Sequence, residues 1–222
     1  IRDRSFTNEQ DVEQEAIDAL VSLGYQDYRS QSYKDPNAVI DAERDNDHKQ
    51  IILRQRLRDA LERKTPGLKD AIYKEAVRQF YLVMDGPDLM ANNHQLHKLI
   101  IEGAKVKVSE DGQNHTYVLK PIDFDNVDAN DFVVTNQFTM EQGGRNRRPD
   151  ITIFINGLPL VTFELKNQAN ANVGIEDAFN QLQTYKQDIS DYMAYNEILV
   201  ISDGVNAQTG SLSAGLDRFM QW

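Results

Sequence analysis

Apolar positions recur at helical spacing along the first half of the chain, and the period then changes to two. Val12, Ala16, Ile17, Leu20 and Leu23 share one helix face. Thr7-Asn8-Glu9-Gln10 before them reads as a capping box, with the Thr7 hydroxyl as cap and Gln10 at the third helical position. Gly24-Tyr25 ends that helix. Residues 26–47 are polar and irregular, with a turn at Asp35-Pro36-Asn37. From about His48 to Ile101 the pattern is helical again. Ile52, Leu53, Leu57 and Leu61 form one stripe, then Ile72, Ala76, Val77 and Phe80 a second, then Leu96, Leu99 and Ile100 a third. Thr65-Pro66-Gly67 and Asp85-Gly86-Pro87 break them.

After Gly103 alternation sets in. Residues 105–108 and 116–119 flank Asp111-Gly112, a hairpin signal. Strands are predicted at 132–140, 151–155 and 160–165, and another at 197–202. Between the last two lies a helix with Ile175, Ala178, Phe179, Leu182 and Ile189 on one face. A short helix is expected to close the chain at Trp222. The order is helix, insertion, three strands, helix, strand: an α/β fold. We expect one domain over 1–222, with its core at about 5–30 and 103–205, a helical insertion at about 45–101 and a tail at 206–222.

Composition narrows the function. The 222 residues, 40% hydrophobic and 27% charged, can bury a real core. No apolar run is long enough to span a bilayer. The first twenty residues are too charged for a signal peptide, and the missing initiator Met suggests an excised chain. Cysteine is absent, which rules out thiolate chemistry and fits a reducing cytoplasm. His94 and His97 could share a helix face, but with no third ligand nearby an exposed helix explains them better than zinc. A net charge of −11 argues against nucleic acid, which is bound through Lys and Arg. The local cluster Arg145, Arg147 and Arg148 weighs more than the sum. It reads either as phosphate contacts or as a solvated loop made flexible by Gly143-Gly144.

That cluster precedes the one stretch that carries chemistry: Pro149-Asp150, an apolar strand, a turn, a second apolar strand, then Glu164-Leu165-Lys166. Ile151, Ile153 and Ile155 point one way, as do Val161, Phe163 and Leu165. Asp150, Glu164 and Lys166 point the other, where three charges beside an apolar sheet are costly unless paired. Two carboxylates suit Mg²⁺, which binds through oxygen and keeps several waters. An ammonium two residues from Glu164 can stabilise an anionic transition state. The register decides whether the acids meet. An unbroken two-residue turn at Asn156-Gly157 would pair Asp150 with Phe163 and separate the carboxylates. A three-residue loop through Leu158, or a bulge, would pair Asp150 with Glu164. The plain alternative is a surface hairpin with an incidental ion pair.

These residues resemble the PD-(D/E)XK nuclease superfamily, and more closely the amino-terminal nuclease domain of type I restriction R subunits. The resemblance runs through Arg147-Arg148-Pro149-Asp150-Ile151, Phe154-Ile155-Asn156-Gly157-Leu158-Pro159-Leu160 and Glu164-Leu165-Lys166-Asn167. Asn136-Gln137-Phe138, Ala178 to Tyr185, Ile201-Ser202-Asp203-Gly204 and Arg218-Phe219 extend it, and it is weakest in the helical insertion. It implies a core of helix, three-strand meander, helix and strand. It also implies Asp150, Glu164 and the Leu165 carbonyl as metal ligands for Mg²⁺, or Mn²⁺, with Lys166 as the catalytic lysine. Superfamily members often add a glutamate from the first helix: Glu13 fits, with Glu9 as rival. Gln181 and Tyr185 match a Gln-x-x-x-Tyr motif, and Asn167 and Gln168 would line the cleft towards double-stranded DNA. No phosphate-binding loop occurs here. ATP would therefore act only through a motor domain of the same subunit, beside specificity and methyltransferase subunits. A non-catalytic docking domain of the same fold is the rival function.

Overall fold

The computed structural model describes residues 9–29, 38–110, 112–166 and 174–222. Thr7, Asn8, the Asp35-Pro36-Asn37 turn, Asp111, Asn167 and Gln168 lie outside them. Helix α1 (Glu9–Ser22) leads to β1 (Gln26–Asp27) and α2 (Ala38–Ala42). Helices α3 (Arg54–Lys64), α4 (Asp70–Leu82) and α5 (Leu89–Glu102) come next, then the hairpin β2 (Ala104–Glu110) and β3 (Gln113–Leu119). Strand β4 (Phe132–Asn136) is separated from β7 (Ile151–Ile155) by a small hairpin of β5 (Met140–Gln142) and β6 (Arg145–Arg147). Then come β8 (Leu158–Leu165), α6 (Ile175–Asp188), α7 (Ser190–Ala194) and β9 (Ile198–Ser202). Strands β10 (Ala207–Gly210) and β11 (Met220–Gln221) end the chain.

The fold is mixed α/β. The main sheet has seven strands in the order β1-β4-β7-β8-β9-β10-β11. β4, β7 and β8 are antiparallel neighbours, whereas β8 and β9 run parallel. A parallel pair needs a crossover, and α6 with α7 provides it. α1 covers one face: Val12, Ile17 and Leu20 pack on Val134, Ile151, Ile153, Phe163, Leu165 and Val200. The other face is buried too, under Leu182, Tyr185, Ile189 and Tyr192, against Val133, Phe154, Leu199 and Ile201. On that face Thr152 and Thr162 sit 2.7 Å and 2.6 Å from the buried Tyr192 hydroxyl. Helices α3 to α5 and the β2–β3 hairpin bury one further cluster, which includes Leu158, Leu160 and Tyr195 of the central elements.

The structure corrects several sequence expectations. Helix α3 starts at Arg54, not near His48, because Leu53 spends its N–H on the Gly157 carbonyl at 2.9 Å. The strand predicted over 132–140 is cut at Gln137, whose φ of 51° leaves the strand region. Strand β5, just beyond the cut, pairs with β6 in a separate two-stranded sheet. The expected terminal helix is replaced by strands β10 and β11, with only one 3₁₀ turn at Leu216–Arg218 between them. β11 pairs with β10 at the sheet edge, and that pairing partner is invisible to local periodicity.

Candidate active site

The hairpin between β7 and β8 decides which side chains meet. Asn156 and Gly157 take φ of 50° and 82°, the type I′ turn that Asn-Gly favours. The turn is locked from outside. The buried Asn156 side chain accepts from the Asp131 N–H at 2.8 Å and donates to the Pro121 carbonyl at 2.8 Å. Ile155 pairs with Leu158 and Phe154 with Pro159, after which the register shifts, so that Ile153 pairs with Val161 and Ile151 with Phe163. Leu160 is the extra residue of a β-bulge. One step further along the ladder, Asp150 stands opposite Glu164. The bulge thus puts both carboxylates on one face, whereas the bare turn would have separated them.

Asp150 Oδ2 accepts the Leu165 N–H at 2.7 Å, and its Oδ1 accepts from Gln137 Nε2 at 3.1 Å. Lys166 Nζ donates to Glu164 Oε1 at 2.7 Å and to the Leu165 carbonyl at 3.1 Å. The Tyr185 hydroxyl donates to Glu164 Oε2 at 3.0 Å. Glu164 is only 3% exposed. Burial raises the Asp150 pKa to about 6, against the help of the Leu165 N–H and Lys166, and the Glu13 charge pushes the same way as burial. Burial and then the charge of Asp150 raise Glu164 to about 7, which Lys166 only partly offsets. Burial would lower the Lys166 pKa, but Glu164 and Asp150 more than reverse this and raise it. The Tyr185 hydroxyl is raised by burial and by the same two carboxylates, so it serves as a donor. The pocket is short of positive charge.

The donor set fits a hard divalent cation. Asp150, Glu164 and the Leu165 carbonyl supply oxygen only, as Mg²⁺ requires, with waters and phosphate oxygens to complete a shell. The Lys166 ammonium already rests on two of those oxygens, a cation in the place where one is favoured. Among the described residues no group of three acidic or histidine ligands converges. Glu13 is nearby but engaged elsewhere: Oε1 accepts from Asn136 at 2.6 Å and Oε2 from Gln137 at 2.6 Å. Glu9 is exposed, and its charge reaches Lys166.

A cleft of about 610 Å³ opens onto this cluster, lined by Gln137, Arg147, Arg148, Glu164, Gln181 and Tyr185 among others. The family described as type I restriction enzyme R protein N terminus matches residues 6–218. The chain belongs to that family. It is 36% identical over 221 residues to the type I restriction enzyme HindI endonuclease subunit of Haemophilus influenzae, covering 97% of this chain and 20% of the relative. It is 35% identical over 217 residues to the putative type I restriction enzyme MjaIXP endonuclease subunit of Methanocaldococcus jannaschii, covering 95% of this chain and 20% of that one. A Staphylococcus aureus type I endonuclease subunit is 28% identical over 205 residues, covering 92% and 19%. The chain thus spans about a fifth of the length of the curated relatives it matches.

In this R-protein N terminus, the loop expected around the basic cluster is a hairpin. Gly143 and Gly144, both at positive φ, form the turn of the β5–β6 hairpin instead of an open loop. Arg145 and Arg147 both ion-pair with the buried Asp188 at the end of α6, the latter at 2.5 Å. Burial would raise the Asp188 pKa, but the two guanidinium groups more than reverse this and lower it. Arg148 lines the cleft, and its carbonyl lies 3.3 Å from the Tyr185 hydroxyl. Gln181 lines the cleft one turn before Tyr185. Sequence reasoning missed Gln137 and Asp188 as members of the site. Asn136-Gln137 offered one signal, two amides where an apolar strand ends. Asp188 offered none, because its partners are more than forty residues away.

Proposed function

We propose that this chain is the DNA-cleaving module of a type I restriction R subunit, a Mg²⁺-dependent endonuclease that also accepts Mn²⁺. One observation carries the reading: the Leu160 bulge gathers Asp150, Glu164, the Leu165 carbonyl and Lys166 into one pocket with excess negative charge. The order α1, β4, β7, β8, α6, β9, with β8 and β9 parallel, supports a PD-(D/E)XK core. The family supports the restriction role.

Asp150 and Glu164 would hold the cation with the Leu165 carbonyl. When bound, Mg²⁺ neutralises phosphate charge and lowers the pKa of a water. The Leu165 N–H and Gln137 orient Asp150, and the Tyr185 hydroxyl orients Glu164. Lys166, held beside Glu164 and the Leu165 carbonyl, would stabilise charge developing on the phosphate. Arg148 faces incoming double-stranded DNA from the cleft wall. The rest of the subunit would contribute an ATP-driven motor. Specificity and methyltransferase subunits would choose the DNA.

In the full R subunit assembled with its partners, Lys166→Ala should lower plasmid cleavage by at least about 10²-fold and leave ATP hydrolysis unchanged. Cleavage at the parent rate would reject a catalytic site here and leave the docking role. Calorimetric Mn²⁺ titration tests the ligand assignment: Asp150→Ala should abolish the binding heat.

A further inference from the structure

Gln137 stands just past the end of β4 with φ 51°, in the left-handed region that a residue with a Cβ enters at a cost. Such strain persists only where the surroundings enforce it, and it concentrates at working sites. Its contacts show what the turn achieves. The backbone N–H donates to the Asp150 carbonyl at 2.9 Å, which holds Gln137 beside the start of β7. The side-chain Nε2 then donates to Glu13 Oε2 at 2.6 Å and to Asp150 Oδ1 at 3.1 Å. A single NH₂ group thus joins two carboxylates from different elements, one on α1 and one beside β7. The same side chain lines the cleft beside Glu164 and Tyr185.

A neutral amide suits this place. Glu13 and Asp150 repel one another through their charges, and burial already disfavours the Asp150 anion. A Lys or Arg here would neutralise the pocket and compete with a divalent ion. A hydroxyl has only one hydrogen to donate, too few to bridge two acids. The glutamine amide has two, adds no charge, and leaves the Asp150 oxygens free to accept more partners. It also engages Glu13, whose other oxygen is taken by Asn136.

We propose that Gln137 is a positioning residue, whose left-handed backbone aims one amide at Glu13 and Asp150 and so sets Asp150 for metal binding. Glu13 then acts through Gln137 and not as a direct ligand. This rests on Asp150 being a ligand, as proposed above.

The test is Gln137→Gly, measured on the whole 222-residue chain by Mn²⁺ calorimetry and thermal melting. Glycine adopts this φ without penalty, which offsets part of the cost of the two hydrogen bonds lost to Glu13 and Asp150, so the melting temperature should fall only slightly. Mn²⁺ affinity should nonetheless fall about tenfold, the effect typical of losing a group that orients a ligand. Affinity within about twofold of the parent would overturn the proposal. Asp150→Ala runs alongside. If it binds Mn²⁺ like the parent, the ligand assignment itself falls. If it loses binding while Gln137→Gly keeps it, only the role of Gln137 falls.

Discussion

At one end of β4 and β7, Arg56 donates to both oxygens of Glu43, at 2.5 and 2.7 Å, to Asp131, and to the Tyr28 hydroxyl at 2.7 Å. At the other end of the same two strands, Asp150 and Glu164 share the Lys166 ammonium, and the charge of Glu13 adds to the repulsion on Asp150. In the first cluster the hydrogen bond to Glu43 leads in raising the guanidinium pKa, against burial: the charges satisfy one another. In the second, burial and mutual repulsion hold two carboxyls well above their usual range. The first arrangement serves the fold, tying α3 to the start of β4. The second costs stability at neutral pH, and taking up a proton relieves it. Strain of this kind marks a working site more clearly than a residue motif does.

Breaking the balanced cluster should have the largest effect on stability. Arg56→Ala leaves Glu43 and Asp131 partly buried without their cation and should cost about 2–3 kcal/mol. Chemical denaturation measures it; a loss under about 0.5 kcal/mol would mean the cluster is solvent-screened. Relieving the unbalanced cluster should do the reverse. The folded pKa of Asp150 is raised from 3.8 to about 6, so its contribution is fully present below about pH 4 and is lost as pH rises through 6. Asp150→Asn should therefore stabilise the metal-free chain at pH 8 by about 1–2 kcal/mol, with the gain vanishing near pH 4. Melting curves across that range check the sign, and a variant less stable at pH 8 would contradict it. Tyr185→Phe is the finest probe. It keeps the ring packed in the apolar cluster between α6 and the sheet and removes the hydroxyl from Glu164 and Arg148, for a loss of about 1 kcal/mol. An unchanged denaturation midpoint would mean that water replaces the hydroxyl.

The legible parts of the fold were those with strong local periodicity. Helices α1, α4, α5 and α6 and strands β7, β8 and β9 lie where apolar spacing put them. Strands β10 and β11 fall in the tail expected to close on a short helix, because two short segments gain their state only by pairing with each other and with β9. The split at Gln137 had only a faint local signal, the two amides Asn136-Gln137, since neither glycine nor proline stands there.

Sequence by itself determined which groups could do chemistry: Asp150, Glu164 and Lys166 at the ends of two apolar runs, around an Asn-Gly turn with one residue to spare. That came from side-chain chemistry and the two-residue period of a strand. Only the tertiary structure decided that the spare residue is Leu160, that Asn136 and Gln137 engage Glu13, and that Asp188 holds Arg145 and Arg147. Those contacts join residues far apart in the chain, and their energies depend on burial, which no local pattern encodes.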